Sequence, residues 1–91
     1  MQQKNEKNLY FAKILGEIIK EYRIKNKKGS INKLSHEYDL DVGNTSRIEN
    51  GLIDAKLVTV WKIAEALSIR PSDLILKIEE RLSEDFHFFE D

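Results

Sequence analysis

The chain has 91 residues, no cysteine, 41% hydrophobic and 34% charged residues, and a formal net charge of −1. That length supports one small domain with a single core and little room for an enclosed catalytic cavity. The missing cysteine excludes disulfides, thiolate zinc sites and cysteine nucleophiles, and fits a reducing compartment. The N-terminus MQQKNEKN has no apolar signal core, and no apolar run approaches the ~20 residues of a membrane span. A cytoplasmic protein with no membrane partner is expected.

The small net charge conceals a division along the chain. Residues 1–70 carry 13 Lys+Arg against 9 Asp+Glu, and residues 71–91 carry 2 against 7. A nearly neutral protein of this kind can present a basic face to a polyanion, although a solvated surface accounts for the same counts.

No segment alternates with period two for long, so the spacing predicts an all-helical fold of five helices. Residues 1–8 are expected to be a flexible arm, 9–75 a compact helical domain, and 76–91 a helix end with an acidic aromatic tail. The first helix runs from about Leu9 to Lys25, with Asn8 as N-cap and Phe11, Ile14, Leu15, Ile18, Ile19 and Tyr22 as one apolar stripe. The second follows Ser30 to about Tyr38, with Ile31, Leu34 and Tyr38 inward. Asp39 marks a sharp turn, since Asp tolerates left-handed geometry better than most residues. A fourth helix spans about Lys56 to Leu67, with Leu57, Val60, Trp61, Ile63, Ala64 and Leu67 apolar. The fifth starts near Pro71, which suits the first helical position, and continues as an extended helix through Leu74, Ile75, Ile78 and Leu82. The closing EDFHFFED is expected to fray.

The third helix lies in LDVGNTSRIENG, Leu40 to Gly51. With Asp41 as N-cap and Gly51 just past the end, Thr45, Ile48 and Leu52 face the core and Glu49 flanks them. Val42, Gly43, Ser46, Arg47 and Asn50 fall on the opposite side. That face is short, polar and low in bulk. It suits close approach to the floor of a groove; the alternative is an ordinary solvated helix, which usually carries more Lys and Glu.

The segment SINKLSHEYDLDVGNTSRIENG, Ser30 to Gly51, resembles the helix-turn-helix of the lambda-repressor-like, Cro-type (Xre) transcription regulators. The resemblance rests on Leu34 and the small Ser35, on a turn residue at Asp39, on apolar positions at Leu40, Thr45 and Ile48, and on the run Ser46-Arg47-Ile48-Glu49-Asn50-Gly51. Downstream, LVTVWKIAEALSIRPSDL is similar to the family's fourth helix and the start of its fifth, and upstream GEIIKEYR to its first. The match spans roughly Leu15 to Leu74, with one extra residue in the Lys25–Gly29 turn. It implies a five-helix lambda-repressor-like DNA-binding domain. It also implies an inward pair between Glu49 and Arg23, and a capping rather than a reading role for Asp41.

In this motif the second of the paired helices enters the major groove. The resemblance therefore makes Val42, Gly43, Asn44, Ser46, Arg47 and Asn50 the candidates for base contact. Arg47 has the donors for guanine O6 and N7, Asn44 can pair with adenine, and Val42 can meet a thymine methyl. Phosphate contacts are expected from Ser30, Ile31, Asn32 and Lys33 at the start of the second helix, and from Lys56 in the loop after the third. Ile31 stands where the family has glutamine, and the proline common near Ala55 is absent.

Other chemistry finds no support in the residues. His36 and His87 lack companions for a metal site. No phosphate-binding glycine loop, nucleophile elbow or paired carboxylates can be assembled, so a non-enzyme without cofactor is expected. The stripe Leu74, Ile75, Ile78, Leu82 and Phe86 exceeds what closing a minimal core requires. Some of it must close the core, and a homodimer interface matching a palindromic double-stranded DNA operator is the expected use of the remainder. The rival reading is an antitoxin-type or adaptor protein whose C-terminal segment binds a partner protein.

Overall fold

The computed structural model describes residues 6–89, which form five helices and no strand. They are α1 (Glu6–Lys25), α2 (Ile31–Glu37), α3 (Val42–Glu49), α4 (Leu57–Ala66) and α5 (Pro71–Arg81). None is long and apolar enough to cross a membrane. One cluster joins all five: Ile14, Leu15, Ile18 and Ile19 of α1, Leu34 of α2, Ile48 of α3, Val60, Ile63, Ala64 and Ala66 of α4, and Leu74 and Ile78 of α5, with Leu67 at the α4 terminus.

Three of the starts have a local cause. The Ser30 hydroxyl accepts from the Lys33 amide at 3.1 Å, and an Asp41 carboxylate oxygen accepts from the Asn44 amide at 2.8 Å, so α2 and α3 begin on side-chain caps. Pro71 opens α5, where a missing amide hydrogen costs nothing.

Four of the ends share one device. A residue with positive φ (Lys27 at 55°, Asp39 at 56°, Gly51 at 69°, Ser68 at 64°) reverses the chain after α1, α2, α3 and α4. The next amide then bonds back five residues: Lys28 to Arg23, Leu40 to Ser35, Leu52 to Arg47, Ile69 to Ala64, all at 2.8–3.0 Å. Left-handed reversals of this kind satisfy carbonyls that the helix leaves open. Only one of the four positions is glycine.

The termini depart from the sequence expectations. Helix α1 begins at Glu6, so Asn8 is an interior helical residue and not its cap; residues 1–5 of the expected arm lie outside the described residues. Helix α5 stops at Arg81, with Leu82 already extended, so it is not a long C-terminal helix. The tail folds back instead of fraying. Phe86 packs on Tyr10 at 5.6 Å between ring centroids, Phe88 packs on Phe11 at 5.9 Å, and Phe86 meets Phe88 edge-on at 5.0 Å. Aromatic rings gain more against the apolar flank of α1 than in water, which is why the acidic composition did not decide the outcome. Lys7 Nζ also donates to the His87 carbonyl. The last two residues lie outside the described range.

Candidate nucleic-acid interface

Helices α2 and α3 are joined by the tight turn at Asp39, and Ser35 is fully buried where they meet. A larger side chain there would push the two helices apart. The Ser35 hydroxyl has no hydrogen-bond partner among the described residues. Its small volume, rather than its polarity, suits the position.

Helix α3 is fixed from behind at three points. Thr45 and Ile48 are buried in the interior. Gly16 of α1 lies directly against its C-terminus: a Cβ added at Gly16 would stand 2.7 Å from the Ile48 carbonyl oxygen and closer still to that of Glu49. The third point is an ion pair. Arg23 Nε donates to Glu49 Oε2 at 2.9 Å and Nη2 to Oε1 at 2.7 Å, with only 14% and 8% of the two side chains exposed. Arg23 Nη1 donates further to the Gly29 carbonyl at 2.7 Å. One guanidinium thus ties the end of α1, the turn after it and the end of α3 together. The bonds from Glu49 hold the Arg23 guanidinium protonated above its already high ordinary value, and burial opposes this to a smaller degree.

The front of α3 is open. Val42, Arg47 and Asn50 are exposed, and Gly43, Asn44 and Ser46 are half-buried. Arg47 folds back along the helix, with its Nη1 3.2 Å from the place a Cβ on Gly43 would occupy. Gly43 therefore leaves the channel in which the Arg47 side chain lies. The Asn50 side-chain amide donates to the Ser46 hydroxyl at 3.4 Å. The five outward residues named from helical spacing, with Asn44 beside them, share this one face.

The flanking residues are less uniform. Asn32, Lys33 and Lys56 are exposed, whereas Ile31 is half-buried. The Ser30 hydroxyl and the Lys33 amide are occupied with each other, which leaves the Lys33 ammonium group and the amides of Ile31 and Asn32 to meet an anion. Exposed carboxylates at Glu37 and Asp39 stand on the same unit. One Asp41 carboxylate oxygen is occupied in capping its own helix through the Asn44 amide.

Two inward assignments and one interface assignment need correction. Leu52 is 60% exposed, because the left-handed Gly51 turns the chain out of the α3 spiral before it. Tyr38 is exposed as well, with Lys28 Nζ 5.8 Å from its ring centroid. The stripe expected at an interface divides in two. Leu74 and Ile78 are buried in the core, and Leu82 packs against it beside the half-buried Phe86, so these residues close the domain; Ile75 alone of the stripe lies open.

The apolar surface that remains was not visible as such in the sequence. Leu57 and Trp61 of α4, counted as apolar positions of that helix, lie exposed beside Ile75 and Leu76 of α5. The signal was present in the crowding of Leu57, Val58, Val60 and Trp61, which a single buried face of a ten-residue helix cannot absorb. Gly16 was also passed over, since nothing local marks a glycine chosen for a close helix crossing.

No protein-family model matches the sequence, and no curated protein matches it significantly.

Proposed function

We propose that the chain is a sequence-specific double-stranded DNA-binding regulator of transcription, built as a lambda-repressor-like domain that lays α3 in the major groove. The observation that carries this reading is the asymmetry of α3. Its back is clamped by Gly16, the buried Ile48 and the Arg23–Glu49 fork. Its front is low, polar and open, with Arg47 lying along it. A rigidly held helix with a slim polar front fits a groove that admits one α-helix.

In this reading Arg47 reads a guanine edge and Asn44 an adenine, while Val42, Gly43, Ser46 and Asn50 line the floor. Lys33 and Lys56 hold phosphates. One short helix covers only a few base pairs, so two copies acting on a palindromic site supply the affinity. The test is selection of bound duplexes from a random pool. The reading expects enrichment of one short sequence, repeated as an inverted pair. A pool that stays random after several rounds sinks the claim of sequence specificity.

A further inference from the structure

We infer that the cavity enclosed by α1, α4, α5 and the folded-back tail is a binding site for a small primary amine with an aromatic body. The site goes beyond the proposed function and does not depend on it, since no residue from the front of α3 lines it.

The cavity measures about 310 Å³, at the lower end of the range for small-molecule sites. Its floor is buried and apolar: Leu15 of α1, Val60 of α4 and Ile78 of α5. Two of its walls are rings. Phe11 stands on α1, and Phe88 of the tail lies against it with 5.9 Å between the ring centroids and a tilt of 45°. A ring entering beside this pair meets an aromatic edge or face on each. The Phe88 wall belongs to no helix. It is held by its contacts with Phe11 and Phe86 and by the bond from Lys7 Nζ to the His87 carbonyl, so it yields to an entering molecule without opening a helix.

The mouth selects the chemistry of the ligand. Among the lining residues only Asn8 and Asp54 have polar side chains, and no Lys, Arg or His is present. The Asn8 amide nitrogen donates to Asp54 Oδ2 at 3.5 Å, the long limit of such a bond. No cation pairs with Asp54 among the described residues. A single carboxylate at the mouth of an apolar cavity repels an anion and gives a neutral molecule no strong bond. An ammonium group instead makes a charge-assisted bond to Asp54, and its remaining donors suit the Asn8 side-chain oxygen, while an apolar body fills the floor.

The test titrates phenethylamine into the full chain without DNA and follows the backbone amides by NMR. Saturable shifts at Ala12, Ala55 and Phe88 are expected, with half-saturation near about 1 mM for a ligand of this size. Hydrocinnamate, a similar body ending in a carboxylate, should bind about tenfold more weakly, and phenethyl alcohol should fall between the two. Asp54→Asn should weaken phenethylamine about tenfold, the loss of one charge-assisted bond, and leave phenethyl alcohol unchanged. Asp54 is exposed and its one side-chain bond is long, so the variant should fold; circular dichroism checks it. Phe88→Ala should weaken the amine and the alcohol alike, because a wall is lost. Absence of saturable shifts with phenethylamine overturns the proposal. Equal affinity for the amine and the carboxylate, or an amine affinity untouched by Asp54→Asn, overturns the class of ligand. Shifts centred on Trp61 and Leu76 would put the amine in the neighbouring groove and overturn the site. Failure to bind DNA would bear only on α3.

Discussion

Arg23 and Glu49 are joined by two parallel N–H···O bonds across the junction of α1 and α3, and the same guanidinium holds the Gly29 carbonyl. Glu49→Ala leaves a mostly buried cation facing only that carbonyl. The expected loss is about 2 kcal/mol, below the ~3–5 kcal/mol of a fully buried pair because water still reaches the edge of the site. Chemical denaturation measures it; a midpoint equal to that of the unmodified protein contradicts the clamp. Under the proposed function, affinity for duplex DNA should fall in step with the loosened helix.

Lys27 holds a left-handed backbone at φ 55° and is exposed. Lys27→Gly should therefore stabilise the protein by about 0.5–1 kcal/mol, the relief of left-handed strain less the added entropy of an unfolded glycine. Thermal melting gives the answer, and a fall in melting temperature would show that the Lys27 side chain has a role in the turn. The same change at Ser68 should yield less, because its hydroxyl accepts from Lys28 Nζ at 2.7 Å.

Glu21 accepts two bonds from Arg81, at 2.5 and 2.7 Å, and so ties α1 to the end of α5. Arg81 lowers the carboxyl below its ordinary value of 4.5, chiefly by hydrogen bonding. A carboxylate lowered on folding stabilises the protein above its unfolded value and loses that contribution as the pH falls through the folded one. The unmodified protein should thus exceed Glu21→Gln in stability at neutral pH, by a small margin because the pair is solvated. The gap should close below pH 4.5, moving in the acid direction only. Urea midpoints of both proteins across that range decide it; a gap that widens in acid would reverse the sign.

How much of this was readable in advance varies with the origin of each feature. The starts of α2, α3 and α5 are local chemistry, visible in Ser30, Asp41 and Pro71. The inward Thr45 and Ile48 and the outward Val42, Arg47 and Asn50 follow from the helical repeat alone. The reversals at Lys27 and Ser68 carry no glycine to announce them. Leu52 failed because the repeat was carried one residue past the point where Gly51 ends it. The tail failed for a different reason: Phe86 and Phe88 find Tyr10 and Phe11 across nearly the whole chain, and no window of sequence contains both partners. Division of the α5 stripe between core and surface likewise depends on where α4 lies, and not on α5.

Arg47 and Lys33 should fail differently. Arg47→Ala is expected to cost about 1–3 kcal/mol on the preferred duplex and to relax preference at one base position. Lys33→Ala should weaken all duplexes alike, as loss of a phosphate contact does. Comparing each variant on preferred and scrambled duplexes separates the two effects. If Arg47→Ala folds normally and leaves the preference intact, the front of α3 is not the reading face.

The most direct measurement of the central claim is the affinity for duplex DNA as a function of salt, followed by fluorescence anisotropy of a labelled duplex. If Lys33, Lys56 and their basic neighbours neutralise about five phosphates per copy, log affinity should fall linearly with log salt at a slope of roughly −4 to −5. A response that is flat in salt, or no binding at low salt, would contradict the assignment of α3 to the major groove.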